Sequence, residues 1–193
     1  AIRSVADLKG RKVALNKGSN VHYFLVKLLD KHGLRYGDVN VVFLPPSDAR
    51  AAFEKGSIDA WVIWDPFLAA AEKTLEAKVL ADATDVVGNR AFYFSSLGYA
   101  EKNADVIRIL TEEIDKVDQW GQANKSAYAA ELSQLWGIPQ PVVDVVVGRA
   151  NYGTRPITRA VLAEQQKIAD TFFSLGLIPK KINVLDAAPA GIA

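Results

Sequence analysis

Val21, Phe24, Leu25, Leu28 and Leu29 recur at i, i+3, i+4, i+7 and i+8 between polar Asn20, Lys27, Asp30 and Lys31. That spacing predicts a helix with one buried face, closed by His32-Gly33. Residues 12–16 just ahead of it read KVALN, a short strand, and Lys17-Gly18-Ser19-Asn20 sits where strand becomes helix. Ser4-Val5-Ala6-Asp7 is a capping-box pattern for a helix of little more than a turn, stopped by Gly10. Residues 39–44 form a second β-branched apolar run, ended by Pro45-Pro46, which cannot continue a ladder. A short helix then carries Ala49, Ala52 and Phe53 inward, and 59–64 (DAWVIW) is a third strand. Asp65-Pro66 restarts a helix over 67–76; residues 77–80 and 91–96 complete the set as a fourth and an aromatic-rich fifth strand.

Strands and helices alternate through this half in units that suit close right-handed crossovers, so it reads as a three-layer α/β lobe around a mainly parallel sheet. Beyond Leu97 the strand signal fades. Val106, Ile109, Leu110, Ile114, Val117 and Trp120 mark one helix face, and Leu132, Leu135 and Trp136 mark another. Residues 142–147 suit a strand by residue type and a short helix by their flanking Pro139, Pro141 and Gly148. A last helix follows Thr158, with Val161, Leu162, Ile168, Ala169, Phe172 and Phe173 inward. These wide apolar faces have no sheet of their own and need a covering that this stretch does not supply. The expected division is therefore 1–95 as an α/β ligand-binding lobe and 96–193 as a mostly helical segment.

Composition narrows the chemistry. Half of the 193 residues are hydrophobic and the net charge is +1 without a basic stripe, which argues against nucleic acid as a partner. There is no cysteine, so disulfides, thiolate metal sites and a cysteine nucleophile are excluded. There is also no methionine, and a chain opening at Ala1-Ile2-Arg3 reads as a trimmed or processed piece of a longer polypeptide. No stretch has the length and apolarity of a membrane span.

No Gly-x-Ser-x-Gly is present, and the only two histidines, His22 and His32, fall on opposite faces of one helix and cannot share a metal. His32 reads as a surface residue compensating the helix dipole. His22, beside the 18–20 turn, is open between contact with a ligand and plain solvent exposure. Asp59 and Asp65 stand at opposite ends of one strand, roughly 20 Å apart at about 3.3 Å per residue, too far for joint work on one bond. No catalytic residue, metal site or cofactor is expected.

What the pattern does offer is a binding crevice. In a parallel sheet the Lys17, Gly18, Ser19, Asn20 turn and the Trp64-Asp65 turn both lie at carboxyl strand ends, the edge at which such sheets take ligands. The first suits an oxyanion, because the opening amides of a helix lack acceptors and carry partial positive charge; Ser19 or Asn20 could equally just cap the helix. The second offers an aromatic wall in Trp64, while Trp61 reads as core. Asp65 is open between a helix cap and a contact to a cationic ligand group.

The stretches SVADLKGRKVA, Lys17-Gly18-Ser19 with His22, LPPSDARAAF and DAWVIWDP, with Ala100-Glu101-Lys102-Asn103 and Leu177-Ile178-Pro179-Lys180-Lys181, together resemble the aliphatic sulfonate-binding proteins of bacterial ABC importers. Taurine-, nitrate- and thiamine-pyrimidine-binding proteins are relatives. The resemblance covers nearly the whole chain. It implies a two-lobed periplasmic receptor of the type II binding-protein class that captures an organic anion for a membrane permease and closes like a hinge. In that scheme the first half is most of the second lobe, the helices after Leu97 return to the first lobe, and the opening segment of the first lobe is missing. Ser19, Asn20 and His22 would satisfy the sulfonate oxygens beside Lys17 and Gly18, Trp64 would meet the alkyl tail, and Tyr152 and Thr154 would contribute from the opposite lobe.

Overall fold

The computed structural model describes residues 2–188, and the chain divides into two units that interleave in sequence. The first takes residues up to Phe67, Ala77–Asn89 and the chain from Ile157 onward; the second takes Leu68–Glu76 and Arg90–Pro156. This grouping does not follow a single break at 95/96, because the last helix packs with the sheet unit: the Phe172 ring lies 5.6 Å from that of His22 and 6.4 Å from that of Tyr23.

The first unit is built on β1 (Lys12–Leu15), β2 (Asn40–Phe43) and β3 (Ala60–Trp61), all parallel in the order β2-β1-β3. Central β1 is buried on both faces at Val13, Ala14 and Leu15, as a continuous apolar run predicts for an inner parallel strand. Side chains alternate along it. Val13 and Leu15 meet Val21, Leu25, Leu28 and Leu29 of α1 (Asn20–Lys31), together with Val5, Leu8 and Val39. Ala14 faces Ala49 of α2 (Pro46–Glu54), with Ile58, Ala52, Phe53 and Trp61 around it. Helices therefore cover both faces of the sheet, as the alternation predicts.

Local chemistry ties these pieces together. The Ser4 amide and hydroxyl both donate to Asp7 Oδ2, at 2.9 and 3.1 Å, completing the capping box of a single 3-10 turn, Val5–Leu8. Helix α1 ends in a left-handed Gly33, with the Leu34 amide bonding back to the Leu29 carbonyl at 2.9 Å. Asp59, at the amino edge, accepts the Lys12 amide at 2.8 Å and so pins β3 to β1, a structural task rather than a chemical one.

Two expected strands are absent. Residues 77–80 and 91–96 form no ladder among the described residues. Leu80 instead drops its side chain onto the α1 core, whereas Tyr93 and Phe94 are 67% and 91% exposed in a unit that contains no strand among its described residues. Residues 91–96 therefore have no strand in their own unit to pair with. The third strand is likewise shorter than 59–64, although the Val62 amide still reaches the Ala14 carbonyl at 2.9 Å.

The second unit is helical: most of α3 (Phe67–Leu75), then α4 (Leu97–Lys102), α5 (Ala104–Ala123), α6 (Lys125–Trp136) and α7 (Gln140–Arg149). The ambiguous 142–147 run is helix, with Val143 and Val147 packed on Ala129. On α5 the side chains of Val106, Ile109, Leu110, Val117 and Trp120 are 41–57% exposed, so its apolar face is open. Finally α8 (Arg159–Ser174) returns to the first unit, where Thr158 caps it and Gln166 Oε1 accepts the Val184 amide at 2.8 Å.

Candidate functional site

Because β1 and β3 pair in parallel, with Val13 opposite Ala60 and Ala14 opposite Trp61, the chain leaves both strands at the same sheet edge. After Leu15 it turns through Asn16, Lys17 and a left-handed Gly18 (φ 73°), a conformation glycine adopts without penalty, and enters α1 from extended Ser19. The Ser19 hydroxyl donates back to the Asn16 carbonyl at 2.7 Å and does not cap the helix. The Ser19, Asn20 and Val21 amides make no hydrogen bond among the described residues, so the opening of α1 presents three donors and the positive end of its dipole.

Of the two alternatives that the sequence leaves open for His22, plain solvent exposure does not hold. His22 is completely buried, neither solvated nor facing out. Its Nδ1 accepts the Gly18 amide at 3.1 Å and its Nε2 lies 2.7 Å from the Tyr36 hydroxyl. The rings of Tyr36, Phe43 and Phe172 surround it at 5.4 to 5.6 Å. The signal was in the helix spacing: His22 precedes buried Leu25, Val26 and Leu29 by three, four and seven residues and shares their face. Tyr36 and Phe172, distant in sequence, carried no such signal.

Burial, reinforced by the Lys17 charge, holds the His22 pKa below its ordinary value, and burial raises that of Tyr36. A histidine depressed on folding binds fewer protons folded than unfolded, so its contribution to stability is complete above about pH 6.5 and is lost as pH falls through the folded value. Urea midpoints measured from pH 8 to 5 are therefore expected to decline below about 6.5, and His22→Gln is expected to flatten that decline. Asp7 and Asp38, lowered mainly by backbone hydrogen bonds, act in a separate and more acidic window.

The Lys17 ammonium stands 5.5 Å from the centre of the Phe43 ring. Asn20 Nδ2 donates to Asn89 Oδ1 at 3.1 Å, a partner the sequence did not reveal. Trp64 is half-buried against the α1 core, and its ring meets Phe67 edge-on at 6.3 Å. Asp65 lies two residues before the first helical residue of α3. In the second unit Tyr152 packs edge-on against Tyr128 at 5.4 Å. The Thr154 amide donates to Asp115 at 3.0 Å and its hydroxyl to Asp118 at 2.9 Å. His32 is exposed at the end of α1. Among the described residues no three His, Asp or Glu side chains gather in a way that could hold a metal ion, and no helix is long and apolar enough to cross a membrane.

A family model described as NMT1/THI5 like matches residues 1–124. A curated relative from Escherichia coli (strain K12), named for aliphatic sulfonates binding, is 38% identical over 184 residues, covering 95% of this chain and 58% of the relative. Among solved structures, the periplasmic aliphatic sulphonate binding protein SsuA from Escherichia coli superposes with a TM-score of 0.91 at 37% identity, over 97% of this chain and 61% of that one. The alkanesulfonate-binding protein SsuA from Xanthomonas axonopodis pv. citri, bound to MOPS, gives 0.87 at 33% identity, over 98% of this chain and 66% of that one. The chain thus spans about three-fifths of the length of these relatives.

Proposed function

Since the chain belongs to the NMT1/THI5-like family, we propose that it is the larger part of a periplasmic receptor that captures aliphatic sulfonates and delivers them to the permease of an ABC importer. No bond is made or broken in this role. The observation that carries the reading is the unbonded run of Ser19, Asn20 and Val21 amides at the head of α1, on the carboxyl edge of a parallel sheet; the Lys17 ammonium of the same loop stands over the Phe43 ring with no carboxylate within ion-pair distance among the described residues.

A sulfonate stays anionic throughout the physiological range and presents three acceptor oxygens. Backbone amides suit it because they supply directed donors without the desolvation cost of a buried ion pair. The Ser19 hydroxyl and one Asn20 N–H are already used to hold the loop, so the side chains shape the cradle and the amides fill it. Lys17 adds attraction at longer range, and the exposed part of Trp64 is the wall proposed for an alkyl tail. Tyr152 and Thr154 belong to the other unit, where an aromatic neighbour and two carboxylates already engage them; the proposal rests on the first unit alone.

Calorimetric titration of the full-length protein tests this. Ethanesulfonate is expected to give saturable heat and an uncharged pyrimidine none. Heat with the pyrimidine and none with any sulfonate would overturn the reading.

A further inference from the structure

We infer that Tyr36 is a positioning residue for the loop ahead of α1: its hydroxyl holds His22 in the tautomer whose Nδ1 accepts the Gly18 amide. The inference rests on the sulfonate reading only where it concerns the anion.

A backbone amide can only donate, so at 3.1 Å from the Gly18 nitrogen His22 Nδ1 must be the unprotonated ring nitrogen. The proton of neutral His22 is then on Nε2, and it faces the Tyr36 oxygen at 2.7 Å, which accepts it. Without that acceptor a buried N–H would be left unpaired, and the opposite tautomer would set an N–H against the Gly18 N–H. Tyr36 therefore makes the required tautomer the comfortable one.

Tyr36 is itself held. It opens the 3-10 turn Tyr36–Asp38, in which Asp38 Oδ2 accepts the Arg35 amide at 2.8 Å, while the Asp38 carbonyl accepts the Gly10 amide at 2.7 Å. Around the His22 ring, β2 contributes Phe43, α8 contributes Phe172, the turn contributes Tyr36, and the loop contributes Lys17, whose charge opposes protonation. With Ser19 bonded to the Asn16 carbonyl, the loop is fixed from two sides, at Gly18 and at Ser19. The amides of Ser19 to Val21 follow immediately and inherit that geometry.

The test is first made without ligand, by nitrogen NMR of the His22 ring and amide exchange of Gly18. The native protein is expected to show the Nε2–H tautomer. Tyr36→Phe is expected to mix the tautomers and to speed Gly18 exchange about tenfold, the equivalent of one lost buried hydrogen bond. Phe172→Leu removes a ring contact but neither hydrogen bond, and should leave tautomer and exchange unchanged. An Nδ1–H tautomer in the native protein, unchanged exchange in Tyr36→Phe, or equal acceleration in both variants would overturn the inference.

Ethanesulfonate titration then separates the two readings. A weaker affinity in Tyr36→Phe, with Phe172→Leu close to native, supports control of the cradle by this relay. Unaltered affinity in Tyr36→Phe despite faster Gly18 exchange overturns that control. A native protein that binds no sulfonate counts against the anion reading, whereas the tautomer and exchange results still decide the relay.

Discussion

Ser19→Asp is expected to weaken ethanesulfonate binding by at least about a hundredfold, some 2.7 kcal/mol, while changing stability by less than about 1 kcal/mol. The asymmetry has a physical cause. A carboxylate beside the opening amides competes for the donors that the sulfonate needs, and two like charges about 4 Å apart repel by roughly 4 kcal/mol at the effective dielectric of a protein surface. The fold, by contrast, loses one hydroxyl donation to the Asn16 carbonyl at 2.7 Å and gains a favourable charge at a helix N-terminus. Ser19→Ala separates the two effects. It removes the loop bond without adding charge, so its affinity should fall by only about tenfold, near the value of one hydrogen bond. Calorimetry with urea unfolding of both variants checks this; a Ser19→Asp protein that binds sulfonate like the native one would remove the head of α1 from the site.

Leu29→Ala is expected to cost about 3 to 4 kcal/mol. Leu29 is fully buried between α1 and β1, among Val13, Leu15 and Leu25, so truncation loses both transfer energy and packing. The same change at Ile109 on α5, which is 49% exposed, should cost less than about 1 kcal/mol. Thermal and urea unfolding of the two variants compares them directly. Equal destabilisation would mean that the apolar face of α5 is covered in solution.

The order of these effects mirrors what could be read from residues alone. The α1 stripe, the two-faced burial of β1 and the parallel alternation were legible because periodicity reports burial directly. The carboxyl-edge turn with Gly18 was legible for the same reason: strand, glycine and helix follow one another within a few residues. His22 was not, although its spacing from Leu25 and Leu29 places it on the buried face; a polar residue in a first turn invites a ligand role, and only the distant Tyr36 and Phe172 reveal that its ring is enclosed. The donors of Ser19 and Asn20 point the same way. Sequence identifies a hydroxyl and an amide but not that Asn16 and Asn89 already receive them. The strand propensity of residues 77–80 and 91–96 failed for a different reason. Residues 91–96 lie in a unit without a strand among its described residues, so they have no edge to join; Leu80 is taken up by the α1 core, and residue type does not reveal either circumstance.

Sulfonate capture by this protein depends on a neutral amide cradle at the head of α1 that receives an anion. Amide chemical shifts of the full-length protein followed through an ethanesulfonate titration test it most directly. Saturating shifts centred on Ser19, Asn20 and Val21 are expected, at the affinity found by calorimetry. Saturable sulfonate binding that leaves those three amides unmoved and shifts residues elsewhere would contradict it.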